Sequence, residues 1–288
     1  MKKLLILSGK GGTGKTTTAA AFIKFAQAKA LADCDVDAPN LHLVSGRSDL
    51  PEKSDFIGSQ KAVIDADKCI ACGQCVQACR FQALEKVGNV YQVRQYACEG
   101  CGVCEYICPT SAAQLQQDIA GELALYQGEE VFSTAALRMG RGNSGKLVSA
   151  VKNALYYAVP KDVELAVIDG SPGIGCPVIA SITGVDLILI VAEPSLSGLS
   201  DLDRIVQTAA KFQVTTAVCI NKYDNSPEHT AQIEQYCQAH QLPLVGHVPY
   251  DKQAGFAINN GQSLAEIDCP ARQALYQAYQ KTMALLNN

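Results

Sequence analysis

Residues Gly9 to Thr16 read GKGGTGKT and fall between an apolar run, Lys3 to Leu7, and an Ala-rich, helix-forming stretch, Thr16 to Lys29. The pattern fits GxxxxGK[ST]: glycines let backbone N–H groups turn inward around an anion, and a helix N-terminus adds its dipole. Gly11, Gly12, Thr13, Gly14 and Thr17 supply the cradle, Lys15 reaches the β- and γ-phosphates, and Thr16 offers its hydroxyl to Mg²⁺. A strand, this loop and a helix open a parallel α/β unit.

The alternation resumes late in the chain. Strands are expected at Leu165 to Ile168, Leu187 to Ala192, Thr216 to Ile220 and Leu244 to Val248, with helices at Leu202 to Phe212, Glu228 to His240 and Pro270 to Leu286. This predicts a doubly wound, mostly parallel sheet with helices on both faces and ligands at the carboxyl ends of its strands. Between Gly58 and about Leu115 the texture changes to closely spaced cysteines with few helix signals. That stretch reads as a module inserted into one domain, with residues 1–57 and 116–288 on either side.

The net charge of −4, without a sustained run of Lys or Arg, gives no footprint for nucleic acid or anionic lipid. The apolar run after MKK is too short for a signal peptide and feeds the glycine loop, and no stretch approaches the roughly twenty apolar residues of a membrane span. A cytoplasmic location is expected, where thiols stay reduced, so the 13 cysteines argue for metal ligation over disulfides.

Eight of them form two identical CxxCxxCxxxC runs, Cys69, Cys72, Cys75, Cys79 and Cys98, Cys101, Cys104, Cys108, at a constant offset of 29 residues. Two copies of one unit are implied. The spacing is that of a bacterial-type 2[4Fe-4S] ferredoxin domain, in which the fourth cysteine of each run serves the other cluster. Cluster 1 then takes Cys69, Cys72, Cys75 and Cys108, and cluster 2 takes Cys98, Cys101, Cys104 and Cys79. Zinc ribbons compete for CxxC pairs, but they use two separated knuckles and not three cysteines at two-residue gaps. Cys34, Cys219, Cys237 and Cys269 read as buried small hydrophobes.

The segment Lys10 to Thr16, KGGTGKT, carries a second lysine, and here the chain resembles the deviant Walker A ATPases of the MinD, ParA and Mrp group. The resemblance implies that Lys10 acts in trans across a nucleotide-sandwich homodimer. It implies that Asp35, in DCDVDAPN, orients the attacking water, and that Asp169, in VIDGSPG, is the Walker B carboxylate that holds Mg²⁺ with Thr16. It also assigns Asn221 to adenine, although NKYD at Asn221 to Asp224 matches a guanine-reading motif and leaves GTP open beside ATP. GRGNSGK at Gly140 to Lys146 repeats the loop spacing, but Leu147 occupies the hydroxyl position and a loop before a helix is the better reading. Cys176 lies seven residues after Asp169; the nitrogenase iron protein of this superfamily has a cluster ligand at that spacing, and no second ligand is evident here.

The resemblance covers nearly the whole chain, as a MinD-superfamily P-loop ATPase with an inserted two-cluster ferredoxin domain. It implies a Mg-dependent NTP hydrolase that couples ATP to electron transfer or to metallocofactor or iron–sulfur cluster assembly, working with a protein electron donor or acceptor or a maturation partner. Two alternatives stay open: a MinD/ParA-like spatial organiser with redox-sensing clusters, and a cluster carrier. The C-terminal stretch Pro270 to Asn288 contains only Arg272 and Lys281 as basic residues, unlike a membrane-binding helix.

Overall fold

A computed structural model describes residues 1–44 and 49–288. In chain order its elements are β1 (Lys2–Leu7), α1 (Lys15–Ala26), β2 (Ala30–Asp33), β3 (Glu52–Ile64), α2 (Gln74–Ala78), β4 (Leu84–Val87), β5 (Val90–Val93), α3 (Val103–Ile107) and β6 (Ala113–Gln127). There follow β7 (Val131–Leu137), α4 (Ser144–Ala158), β8 (Leu165–Asp169), α5 (Cys176–Ile182), β9 (Leu187–Ala192), α6 (Gly198–Ala210), β10 (Thr215–Asn221), α7 (Pro227–Ala239), β11 (Leu244–Val248), α8 (Lys252–Asn259) and α9 (Pro270–Asn287). They form two compact units.

The larger unit holds Met1–Lys53, Leu123–Ala136 and Ser144–Asn288. Its strands run in the order β11-β10-β9-β1-β8-β2-β7, all parallel. Both faces are covered, so β1 and β9 are continuous apolar runs and not alternating ones. On one face Leu4, Ile6, Phe22, Leu31, Val167, Leu189 and Leu275 join a single core with α1 and α9. Full burial of Phe22 alone is worth roughly 2 kcal/mol. The other face carries α4, which packs on β2 and α5. The helix expected to run to Lys29 stops at Ala26, because Gln27 turns left-handed at φ 48° and the chain must enter β2 at Ala30.

Register sets the site. Asp33 of β2 pairs with Asp169 of β8, and Ile6 of β1 pairs with Asp169 from the other side, so three strand ends meet where β1 leaves for the glycine loop. Gly14, at φ 93°, ends that loop on α1; an added Cβ would lie 2.2 Å from Asn221 Nδ2.

The smaller unit holds Ser54–Glu122 and Leu137–Asn143. It begins before Gly58 and ends after Leu115, because β3 and β6 are long strands that carry the chain in and out, and the loop before α4 joins it. Its backbone repeats at the cysteine offset. Left-handed residues occur at Ala71, Gly73 and Gln82, and again at Gly100, Gly102 and Ser111. The N–H of Cys69 donates to Asp65 O at 3.1 Å and that of Cys98 to Arg94 O at 3.1 Å. The two copies then close each other: Asp65 N–H donates to Ala112 O at 2.8 Å, and Arg94 N–H to Ala83 O at 2.7 Å.

Candidate functional site

At the carboxyl edge of the parallel sheet Asp169 is wholly buried. Lys15 Nζ lies 2.6 Å from its Oδ1, and Thr16 Oγ1 donates to its Oδ2 at 2.7 Å. Asp35 Oδ2 stands 3.9 Å from the same ammonium. Lys15, Thr16, Asp35 and Asp169 therefore converge. Burial works against the Lys15 ammonium, but Asp169, and behind it Asp35 and Asp33, outweigh that and hold its pKa above the ordinary lysine value. Burial pushes the Asp35 carboxyl up, against the pull of Lys15.

Asp33 has a role that DCDVDAPN does not reveal. Its Oδ1 accepts the N–H of Asp35 at 3.0 Å, and its Oδ2 accepts those of Asn40 and Leu41, both at 2.9 Å. It fixes the turn that aims Asp35. Burial and the neighbouring Asp169 charge raise its pKa to about 7. A divalent cation at Thr16 and Asp169 would reverse the second of these effects.

Lys10 points elsewhere. Its Nζ donates to Ser195 Oγ at 2.8 Å and lies 3.7 Å from Glu193 Oε2. Glu193 Oε1 also holds Lys222 Nζ at 3.1 Å, and Lys222 donates to Gly12 O at 2.9 Å. Glu193 was findable in principle, as an acid at the carboxyl end of β9. Asn221 Nδ2 donates to Thr13 O at 2.7 Å, tying the loop to the end of β10. Thr13 Oγ1 is buried without a partner among the described residues. Gly12, Gly14, Thr17 and Asn221 line an open cleft of about 1240 Å³ with Tyr250 and Phe256, while Gly11 is exposed beside it. A glycine cradle, an orphaned hydroxyl, and a hydroxyl–carboxylate pair suit a nucleotide phosphate and its Mg²⁺.

In the smaller unit two cavities are lined by thiols. Cys69, Cys72, Cys75 and Cys108 line one; Cys98, Cys101, Cys104 and Cys79 line another of similar size. Apart from Pro109 and Leu115, the linings correspond at the 29-residue offset, Ile64 with Val93, Tyr91 with Ala62 and Ala112 with Ala83, which makes them two copies of one site. Among the described residues no three His, Cys, Asp or Glu side chains are grouped to hold a single metal ion. Four thiols around an apolar space suit a larger inorganic group. Burial raises the Cys75 and Cys104 thiols. Burial acts the same way on Cys108, but backbone N–H donors from Ala113 and Thr110 and the Thr110 hydroxyl bring it below the usual value.

The remaining cysteines divide cleanly. Burial pushes Cys34 and Cys219 up to about 12 and Cys237 up to about 11, which makes them inert, and Cys269 is buried too. Cys176 is exposed at the start of α5. Gly140 to Asn143 form a loop that leads into α4, with Leu147 buried.

Comparison with known proteins adds the following. The CobQ/CobB/MinD/ParA nucleotide binding domain matches residues 4–264. An uncharacterized protein of Methanocaldococcus jannaschii is 37% identical over 227 residues, covering 76% of this chain and 78% of its own. The septum site-determining protein MinD of Pyrococcus horikoshii, solved with Mg-ADP, shares the fold at a TM-score of 0.60 with 18% identity, over 99% of this chain and 96% of that one. A ferredoxin of Pyrobaculum islandicum is 34% identical over 70 residues, 24% of this chain and 65% of the ferredoxin.

Proposed function

Since this chain belongs to the CobQ/CobB/MinD/ParA nucleotide-binding family and carries a P-loop ATPase domain of the MinD/ParA type, we propose that it is an iron–sulfur ATPase. In this reading ATP binding and hydrolysis drive electron transfer to a partner protein or the assembly of a metallocofactor. The observation that carries it is the sorting of eight cysteines, three from one run and one from the other, around each of two apolar cavities. That is the donor set for two [4Fe-4S] clusters, which would supply one-electron chemistry. The partial likeness to a ferredoxin supports it.

The chain's own residues take these parts. Lys15 would leave Asp169 for the β- and γ-phosphates, and Asp169 and Thr16 would hold Mg²⁺ there. Asp35, aimed by Asp33, orients the attacking water. Lys10 exchanges Ser195 and Glu193 for the phosphates held by a second copy, so hydrolysis waits for a homodimer. Closure around the triphosphate moves the loops after β2 and β8.

ATP is the nucleotide in this reading, and Asp224 is the reason. Reading guanine requires the carboxylate to reach the base, yet Asp224 does not line the cleft that Asn221 lines, and its Oδ1 is turned to the Tyr250 N–H at 2.6 Å. In its membrane-cycling form, the organiser alternative calls for a basic amphipathic helix. The face of α9 with Ala271, Leu275, Ala278 and Leu286 is buried in the core, and among the described residues no helix is long and apolar enough to cross a membrane.

The test is anaerobic. Purified protein is expected to hold about eight irons per chain, and Mg-ATP is expected to change its EPR signal and its rate of acceptor reduction. Protein without iron, or reduction indifferent to nucleotide in wild type and Lys15→Ala alike, would overturn the reading.

A further inference from the structure

The two thiol cavities are near copies, but β3 meets them differently: Ile64 only lines the first, whereas residues 60–62 contact the chain around Cys98 in the second. Three consecutive β3 residues press on the segment Cys98–Gly100. The Gln60 carbonyl packs so closely on Gly100 that an added Cβ would lie 2.0 Å from its oxygen. Lys61 Nζ donates to the Cys98 carbonyl. The Ala62 N–H points at Cys98 Sγ, 3.4 Å away. Cys98 is also the one buried thiol among the eight; the others are half-buried or exposed.

The other copy lacks this arrangement. At the 29-residue offset Val90 stands for Lys61, Tyr91 for Ala62 and Ala71 for Gly100. Other charges differ between the copies. Asp65 and Arg94, which stand at equivalent positions, are each neutralised by a partner, Lys68 at 3.0 Å and Glu85 at 2.9 Å, and Arg80 after Cys79 and Glu105 after Cys104, where the other copy has Pro109 and Val76, are exposed and of opposite sign. Glu99 replaces Ile70 on the second cavity, as an exposed, water-screened carboxylate. Lys61 is half-buried and bonded to a ligand's own backbone.

Resting on the two-cluster reading above, we propose that Lys61 makes the two centres unequal. It holds the one bound by Cys98, Cys101, Cys104 and Cys79 at the higher reduction potential, so that the first electron rests there. Reduction adds one negative charge to a centre. A fixed cation close to its ligand stabilises that charged state. Donors aimed at ligand sulfurs act in the same direction but serve both centres, at Cys98 and Cys79 of this one and at Cys108 of the other, so the charge of Lys61 is what sets the two apart. Each centre takes one electron from a low-potential donor, with no proton transferred and no thiolate bond broken.

The experiment is an EPR-monitored redox titration of the full chain, loaded anaerobically with iron and sulfide, with dithionite as donor. Wild type is expected to show two waves. Lys61→Gln, or Lys61→Met if the first variant loads poorly, lowers the upper wave toward the lower one and leaves the lower in place; Lys61→Arg keeps the split. A single wave in wild type, or neutral variants that leave both waves unmoved or lower both equally, would overturn the proposal. Those outcomes require loaded protein and leave the two-cluster reading standing. A chain that binds no iron sinks that reading and this inference together.

Discussion

The Lys15 ammonium lies 2.6 Å from Asp169 Oδ1 inside the wholly buried edge of the sheet. Removing one member of such a pair strands the other charge, at a cost of about 3 kcal/mol or more. Lys15→Ala is therefore expected to lose ATPase activity and also to melt earlier. Adding Asp169→Asn to that variant removes the stranded charge, and the double variant is expected to regain melting temperature without regaining turnover. Calorimetry beside a phosphate-release assay separates the two effects.

Gly14 tests the cradle. Alanine there would put its Cβ 2.2 Å from Asn221 Nδ2 at a φ of 93° that L residues rarely adopt. The bond from Asn221 to Thr13 O must then break. Gly14→Ala is expected to weaken nucleotide binding about tenfold or more, the equivalent of one ordinary hydrogen bond. Fluorescent-nucleotide titration measures it.

Base preference follows from Asp224. Wild type is expected to bind ATP in preference to GTP in competition. Asp224→Ala frees the Tyr250 N–H, loosening the loop after β11 and lowering affinity without reversing the preference. A wild-type preference for GTP would contradict the role given to this carboxylate.

Lys152 supplies a pH signature. Its Nζ donates to the carbonyls of Ala180, Ser181 and Thr183 at 2.9, 2.7 and 2.6 Å. Burial lowers its pKa from the ordinary 10.5 to about 8. Between those values the unfolded chain holds a proton that the folded chain lacks, so stability contributed by this group rises as pH climbs from about 8 to 10.5. Lys152→Met is expected to flatten that slope and, by orphaning three carbonyls, to cost about 2 kcal/mol. Denaturant melts at several pH values read both.

How far the amino-acid order alone reaches depends on the range of each interaction. GKGGTGKT, with the apolar run before it and the alanines after it, is local, and so the loop and the parallel sheet could be read directly. The constant cysteine offset likewise exposes the duplicated backbone of Ala71 and Gly100. Asp33 is different. Its partners Asn40 and Leu41 lie only seven and eight residues on, but three aspartates share that stretch and the pattern does not say which of them folds back on the turn. Glu193 is hidden by distance instead, since its two lysines come from the glycine loop and the end of β10. The strands β3 and β6 escaped notice because polar residues such as Gln60, Gln116 and Gln117 interrupt their apolar positions. Their length, in turn, is why the compact unit outruns the cysteine-rich stretch.

Asp65 and Arg94 each hand their backbone hydrogen to the opposite copy, so neither half of the duplicated module has a finished edge of its own. Unfolding either half would therefore leave the other with an N–H and a carbonyl that have lost their mates, which ties the ordering of one repeat to that of its twin.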